Sequence, residues 1–362
     1  MQRMRVVQQY VTTANNGGLK TEYEALSSRK TLSDKYEFIP VVLNDCHCGI
    51  SFSDIRFYRR AISKAAPDIV HIRGAGIESL NAVIGAKLSG QRKILVTVHG
   101  MFSDLVYYSP IKRWICRHVI EPMIFELSDG ISCVYEQASQ RDVFRRYKKK
   151  MLPFVYNRMP KYHNCSSEEK RALRTELNLP GNARIGIYVG RVTKEKGLSY
   201  LVNALKKLDV SWPSELCLLI VGNGDYLQKM QNECAALRHA KQVIFAGQQE
   251  QVQKYLNASD FFLSPSLHEN LSISILEACA AKLPCLVTDV GGNGEIIENG
   301  KNGLVIPPFS ADALAYALCK MNDDEYRAEI EQCAWQLNYS KFSDEHVDQQ
   351  LKQVYDLLLQ QR

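Results

Sequence analysis

Residues 184–197 read RIGIYVGRVTKEKG: an apolar run from Arg184 to Val189 stops at Gly190-Arg191, and after Lys196-Gly197 the helical pattern of Leu198 to Leu208 begins. Six residues rich in β-branched and aromatic side chains, closed by a glycine, predict a strand, and apolar residues at helical spacing predict the helix. A strand leading through a glycine turn into a helix is the repeating unit of a parallel sheet covered by helices.

The unit recurs on both sides of that stretch. Downstream, strands are predicted at Leu216 to Val221, Val243 to Ala246, Asp260 to Ser264, Cys285 to Thr288 and Leu304 to Ile306, with helices at Tyr226 to Leu237 and Ser272 to Ala281. Upstream, strands are predicted at Arg5 to Tyr10, Phe38 to Leu43, Asp68 to Arg73, Lys93 to His99 and Gly130 to Tyr135. The intervening helices are Leu19 to Arg29, Ile55 to Ala65, Ser79 to Leu88 and Ile111 to Leu127. After Pro308 no strand pattern remains, and three helical stretches close the chain, the last from Asp344 to Leu359.

A chain of 362 residues exceeds one ordinary core and suits two. The expected fold is α/β, with two Rossmann-like, doubly wound parallel-sheet domains facing a cleft. Residues 1–158 form the first, residues 159–340 the second, and residues 341–362 a closing helix that returns to the first. The joint is placed in Leu152 to Pro160, bracketed by Pro153 and Pro160, with a polar helix from Ser166 to Leu177 opening the second domain.

Composition narrows the class. With 46% hydrophobic and 23% charged residues the chain is neither a disordered polymer nor an integral membrane protein. No apolar run reaches the roughly 18 residues of a membrane span, and the start, MQRMRVVQQYVTTANNGG, lacks a signal-peptide pattern. The expected location is the cytoplasm. Eleven cysteines, an odd number without a CxxC pair, point to a reducing compartment; Cys133, Cys217 and Cys285 sit in apolar runs as small hydrophobes. Cys46-His47-Cys48 reads as a metal cluster or as a loop after a strand, and no second pair stands at zinc spacing.

The net charge of +6 divides into +9 for residues 1–150 (23 Lys+Arg, 14 Asp+Glu) and −3 for residues 151–362 (22 and 25). Cations cluster with aromatics in Arg56-Phe57-Tyr58-Arg59-Arg60, in YYSPIKRWICRH from Tyr107 to His118, and in FRRYKKK from Phe144 to Lys150. Such a surface suits anionic lipid headgroups or a lipid diphosphate, and equally a solvated lysine-rich face. No nucleic-acid motif accompanies it, and no nucleic-acid partner is expected.

In open α/β sheets ligands bind beyond the carboxyl ends of the strands, so candidate residues are sought there. Asn15-Asn16-Gly17-Gly18 follows the first strand; its glycines allow close backbone approach to a ligand or make a tight turn, and it is not a G-x-G-x-x-G fingerprint. Gly190-Arg191 and Lys196 supply a guanidinium fork and a point charge for two phosphates, or ordinary surface charge. In SPSLHENLSISILEACAA, Ser264 to Ala281, Glu269 lies in a loop and Glu277 in the following helix. Carboxylates accept hydrogen bonds from the hydroxyl pairs of a sugar or a ribose. The amides near Leu271, Ser272 and Ile273 make a helix amino end that attracts anions. A dipole-complementing glutamate and an exposed one are the alternative.

Taken in order, Gly-Gly near the start, His99-Gly100 after the fourth strand, Gly-Arg with Lys-Gly, and Glu-x7-Glu about 80 residues later resemble the retaining glycosyltransferases of family 4, the glycosyl transferases group 1, with the GT-B fold. Val221-Gly222-Asn223-Gly224, Phe245-Ala246-Gly247, Leu276-Glu277-Ala278, TDVGGNGEII from Thr288 to Ile297, and Asn302-Gly303-Leu304 agree. The resemblance runs from about residue 4 to the end and is densest over residues 184–308.

That resemblance implies roles. Arg191 and Lys196 would hold the donor diphosphate, Glu269 would face the transferred sugar, and Glu277 would hold the ribose. Gly190, Asn270, Leu271 and Ser272 would line the donor, and Phe245 to Gln248 the base. His99 would stand near the reacting carbon, and the Gly17-Gly18 loop would approach phosphates and acceptor. Asn270-Leu271-Ser272 stands where the family often has Gly-Phe-Gly, which changes the pocket beside the sugar. The joint reads Val155-Tyr156-Asn157-Arg158 where Pro-Asn-Gly is common.

Glycosyl transfer builds positive charge on the sugar and negative charge on the leaving diphosphate, so cations at the diphosphate lower the barrier. No two aspartates are separated by one residue, so the metal-holding Asp-x-Asp is missing and neither a metal nor another cofactor is expected. The expected partners are a nucleotide-sugar donor and a glycan acceptor carried on a polyprenyl diphosphate. An anionic membrane surface at the basic domain, on the inner face of the cytoplasmic membrane, completes them. The expected role is bacterial surface-polysaccharide assembly, capsule or O-antigen. A nucleotide-sugar epimerase of the same fold and a non-catalytic partner subunit are the rival classes.

Overall fold

The computed structural model describes residues 3–11, 26, 29–44, 47, 49–105, 107–337 and 339–361. Two compact units make up the chain: Met1–Asn157 together with Lys341–Arg362, and Arg158–Ser340. The Gly17-Gly18 loop, the helix expected at Leu19 to Arg29 save Leu26 and Arg29, and Cys46 and Cys48 lie outside the described residues.

In the first unit, β1 (Met4–Val11), β2 (Tyr36–Leu43), β3 (Ile69–Arg73), β4 (Ile94–Val98) and β5 (Gly130–Cys133) form one sheet in the order β2-β1-β3-β4-β5, every pair parallel. Every residue of β3, β4 and β5 is buried, as a parallel sheet covered on both faces requires. From β2 onward each crossover moves across the sheet in the same sense. The right-handed rule therefore places α1 (Phe52–Ala65), α2 (Ile77–Leu88) and the helical connection from β4 to β5 on one face. They pack there side by side. That connection runs as α3 (Pro110–Ile115), a π-helical turn (Cys116–Ile120) and α4 (Glu121–Leu127). Pro122 brings no N–H to the ladder, and the preceding turn widens.

The opposite face carries the last long helix, Asp344–Gln360, whose Leu351, Val354, Tyr355 and Leu358 pack on Val6, Ile69, Leu95 and Leu152. Within this apolar contact lies a buried polar layer. Gln8 Nε2 donates to the Tyr355 hydroxyl at 2.9 Å, His71 Nδ1 stands 2.9 Å from the same oxygen, and His71 Nε2 is 2.7 Å from Thr97 Oγ1. Arg73 donates to Gln8 Oε1 from Nε and Nη2, both at 3.3 Å. Burial first, then the Arg73 and His99 charges, push the His71 pKa well below its ordinary value, so the ring is neutral at pH 7.

The second unit has β6 (Arg184–Val189), β7 (Leu216–Val221), β8 (Val243–Gly247), β9 (Phe261–Ser264), β10 (Cys285–Thr288) and β11 (Gly303–Ile306), all parallel, in the order β11-β10-β9-β6-β7-β8. The helix Ser167–Glu176 opens it with a capping box between Ser166 and Glu169. The helices Leu198–Leu208 and Ala311–Asn322 press Leu201, Leu205, Leu314 and Leu318 onto Leu218, Ile220, Phe261 and Leu263. Among the described residues no helix is long and apolar enough to cross a membrane.

Tyr355→Phe removes the hydroxyl that Gln8 and His71 share and leaves buried polar atoms unmatched. It is expected to lower unfolding stability by about 1–3 kcal/mol in a urea titration; an unchanged midpoint would show that the layer contributes nothing.

Candidate active site

The strand order of the second unit reverses at one place. From β6 the chain moves outward to β7 and β8, then returns to lay β9 on the other side of β6. Loops leaving β6 and β9 therefore diverge at their shared carboxyl end and leave a crevice, the switch point where ligands of such sheets bind. Lys196 leaves β6 on a 3-10 turn, Lys194–Lys196, and Glu269 lies in the loop after β9. Their side chains meet across the switch point: Lys196 Nζ is 2.7 Å from Glu269 Oε1, both largely buried. Ser266 Oγ donates to the same oxygen at 2.8 Å.

Backbone contacts hold these loops in register. Gly197, at φ +69°, starts the helix after Lys196, and a Cβ there would stand 1.7 Å from the Pro265 carbonyl oxygen. Leu267 N donates to Glu195 O at 2.9 Å. On the β7 side, a Cβ on Gly222 would meet Gly190 O at 1.8 Å and one on Gly224 would meet Val192 O at 2.3 Å, while Val192 N donates to Asn223 O at 2.9 Å. On the β10 side, a Cβ on Gly291 would meet Glu269 O at 2.2 Å, and Gly292 N donates to Asn270 O at 2.6 Å. Four adjacent strand ends are thus stitched together where no side chain fits.

The helix Ile273–Ala280 begins at this edge. Its N-cap Ser272 places no side-chain oxygen on a first-turn amide, its hydroxyl lies 3.1 Å from that of Ser274, and its first turn carries no acid. The amino end keeps donors and partial positive charge for an anion. Asn270, Leu271 and Ser272 form the approach, the last two buried.

Glu277 lies in the second turn of that helix. Burial pushes its carboxyl from the ordinary 4.5 up to about 7, opposed by a hydrogen bond from the Tyr162 hydroxyl. Arg191 is more than half exposed and turned onto Glu195, while the Tyr188 hydroxyl donates to its carbonyl at 2.6 Å. Phe245 is half-buried on the edge strand β8 against the core. His99 follows β4 in the first unit, close enough to His71 to disfavour its charge.

Of the residues expected from sequence, the structure joins Lys196 to Glu269 and sets Gly190, Asn270, Leu271 and Ser272 in the same stitched edge. Ser266 and Tyr162 were missed. Ser266 carried a positional signal, two residues past a strand end; Tyr162, in an irregular segment, carried none. Among the described residues no group of three His, Cys, Asp or Glu side chains gathers as a cation set would, and His47 Nδ1 is held by Asp54 Oδ1 at 2.7 Å.

The two parallel sheets, one of them with a cation and a helix amino end at its switch point, are those of the α/β GT-B fold. Residues 169–335 match the family described as Glycosyl transferases group 1. An uncharacterized glycosyltransferase of Methanocaldococcus jannaschii is 30% identical over 200 residues, 54% of this chain and 51% of that protein, so the chain spans about half the length of that relative. The UDP-Gal:alpha-D-GlcNAc-diphosphoundecaprenol alpha-1,3-galactosyltransferase of Escherichia coli is 23% identical over 295 residues, 80% of this chain and 75% of the relative. The Anabaena HepE structure in complex with UDP and glucose superposes with a TM-score of 0.79 at 16% identity, covering 98% of this chain and 100% of that one.

The Glu277 environment sets a pH signature. Between about pH 4.5 and 7 the folded protein holds this proton more tightly than the unfolded chain, so the group's contribution to stability falls as pH rises and its cost is complete above pH 7. Glu277→Gln, which keeps a partner for Tyr162, is expected to be more stable than the parent by about 1–3 kcal/mol at pH 8. The gain should fade towards pH 5 in thermal unfolding curves; a gain equal at both pH values would assign it to another cause.

Proposed function

We propose that the protein is a retaining, metal-independent family 4 glycosyltransferase that moves a sugar from a nucleotide-sugar donor to a hydroxyl of a glycan acceptor. The observation that carries this reading is the Lys196–Glu269 pair at the switch point, beside an uncapped helix amino end. A cation and a row of amides suit a diphosphate, and a carboxylate between them suits sugar hydroxyls.

In the transfer the bond from the anomeric carbon to the diphosphate oxygen breaks and the acceptor oxygen takes its place on the same face. Negative charge grows on the diphosphate, where Lys196, Arg191 and the amides of Ile273–Ala280 stabilise it without reorganisation. Arg191 leaves Glu195 to reach the phosphate. Glu269 accepts from hydroxyls of the sugar, orienting it, and Glu277 does the same for the ribose. His99 stands by the reacting carbon, and Phe245 lies against the base. The acceptor proton passes to the leaving phosphate oxygen.

For the acceptor, the lipid diphosphate named for the Escherichia coli relative supports a lipid-linked glycan, and a role in surface-polysaccharide assembly on the inner face of the cytoplasmic membrane. The teichuronic acid assignment of a Bacillus subtilis relative, 28% identical over 266 residues, supports the same class.

Lys196→Ala and Glu269→Ala are each expected to reduce transfer at least about 100-fold while the circular-dichroism spectrum is retained; near-normal turnover in either would remove that residue from the site. A thermal-shift panel of UDP-, GDP- and ADP-sugars identifies the donor as the one that raises the Tm of the parent. EDTA is expected to leave turnover unchanged, and a loss restored by a divalent cation would overturn metal independence.

A further inference from the structure

The first unit presents two apolar tips at the same end of its sheet. Helices α1 and α3 follow β2 and β4, so both begin at the carboxyl edge of the sheet. At the start of α1, Ile50 is 56% and Phe52 86% exposed; at the start of α3, Ile111 is 74% and Trp114 59% exposed. The whole of Pro110–Ile115 is exposed, and Ile115, Val119 and Met123 continue its apolar side at helical spacing. Side chains of this size are rarely left in water together without a purpose.

Cations stand directly behind these tips. Arg56, Arg59, Arg60 and Lys64 project from α1, and none makes an ion pair with a described residue. Arg56, Arg60 and Lys64 share one side of the helix with Phe52 and Phe57, and together they line a groove of about 620 Å³. From α3 and the π-turn project Lys112, Arg113 and Arg117, all exposed. Lys112 Nζ lies 3.7 Å above the Tyr108 ring, and Arg113 Nε donates to Ser103 O at 3.1 Å.

Acids are missing from the outer surface of both segments. Between residues 50 and 64 the one acid is Asp54, buried under His47, and between residues 107 and 120 there is none. Glu121, just beyond, is buried and accepts from Ser103 N and Oγ, both at 2.8 Å.

We propose that the tips of α1 and α3 form a wedge that enters the headgroup layer of an anionic bilayer, with the cations of α1 and of the α3 turn on the lipid phosphates. Apolar side chains at the leading edge with cations behind them match the gradient of a bilayer surface, where the acyl boundary lies inside and the phosphates outside. A nucleic acid would use the cations but gives no burial to Ile111, Trp114 and Phe52. The wedge gives the membrane location proposed above a definite element; it rests on that location and not on the donor chemistry.

The test is flotation of the full chain with vesicles of phosphatidylcholine alone and of phosphatidylcholine mixed with phosphatidylglycerol, at low and high salt. Binding to the mixed vesicles at low salt, weakened by salt, is expected. Ile111→Ser with Trp114→Ser should weaken it about tenfold or more, and Arg56→Ser with Arg60→Ser and Lys64→Ser should reduce the preference for phosphatidylglycerol and its salt dependence. All five residues are exposed, so both variants should keep the parent Tm and the parent thermal shift with the donor; that shift fails alone if only the donor reading is wrong. Failure of the parent to float at low salt would overturn the wedge, as would flotation of the Ile111/Trp114 variant equal to the parent's. Salt-sensitive binding to RNA without vesicle binding would reassign the face to nucleic acid.

Discussion

A lysine and a carboxylate held 2.7 Å apart where the strand order of the second sheet reverses are the contact on which the switch-point edge depends. The pair is largely desolvated, so each charge needs the other, and removing one strands its partner. Ser266 shares the load on Glu269 Oε1. The pairing is possible because Gly197 and Gly291 let backbone approach backbone where any Cβ would collide. Sequence-distant loops are locked into one edge, and the side chains on it inherit its rigidity.

The first unit solves a different problem. A parallel sheet must be dry on both faces, yet β1 carries Gln8 and Gln9 and β3 carries His71 and Arg73. The polar atoms are matched to one another and to Tyr355 of the closing helix. A buried network satisfied in this way selects one seating of that helix, since sliding it by a turn would leave several donors and acceptors unmatched.

Much of this was legible in the residue order. Parallel strands buried on both faces are continuous apolar runs, so each of the eleven strands among the described residues was located to within two residues of its observed ends. Helix starts were less legible: α1 begins at Phe52 rather than Ile55 because Ser51 accepts from Asp54 N, a cap outside the apolar pattern. The π-turn before Pro122 breaks a helix that periodicity drew as unbroken. At the switch point, Lys196 and Glu269 were singled out by their position after strands. Their direct contact was not, because pairing across a switch point depends on strand order, which no local pattern carries. Tyr162 on Glu277 and Arg191 on Glu195 are side-chain choices made by packing.

The closing helix also bears on how the chain is made. Residues 344–360 emerge from the ribosome after the whole second unit, yet they cover one face of a sheet whose strands emerge before it. The second unit, contiguous from Arg158 to Ser340, has all its parts before that helix exists. Synthesis from the amino end therefore does not dictate the order of folding: the later domain is free to mature while the earlier one waits for the seventeen-residue helix that covers its sheet.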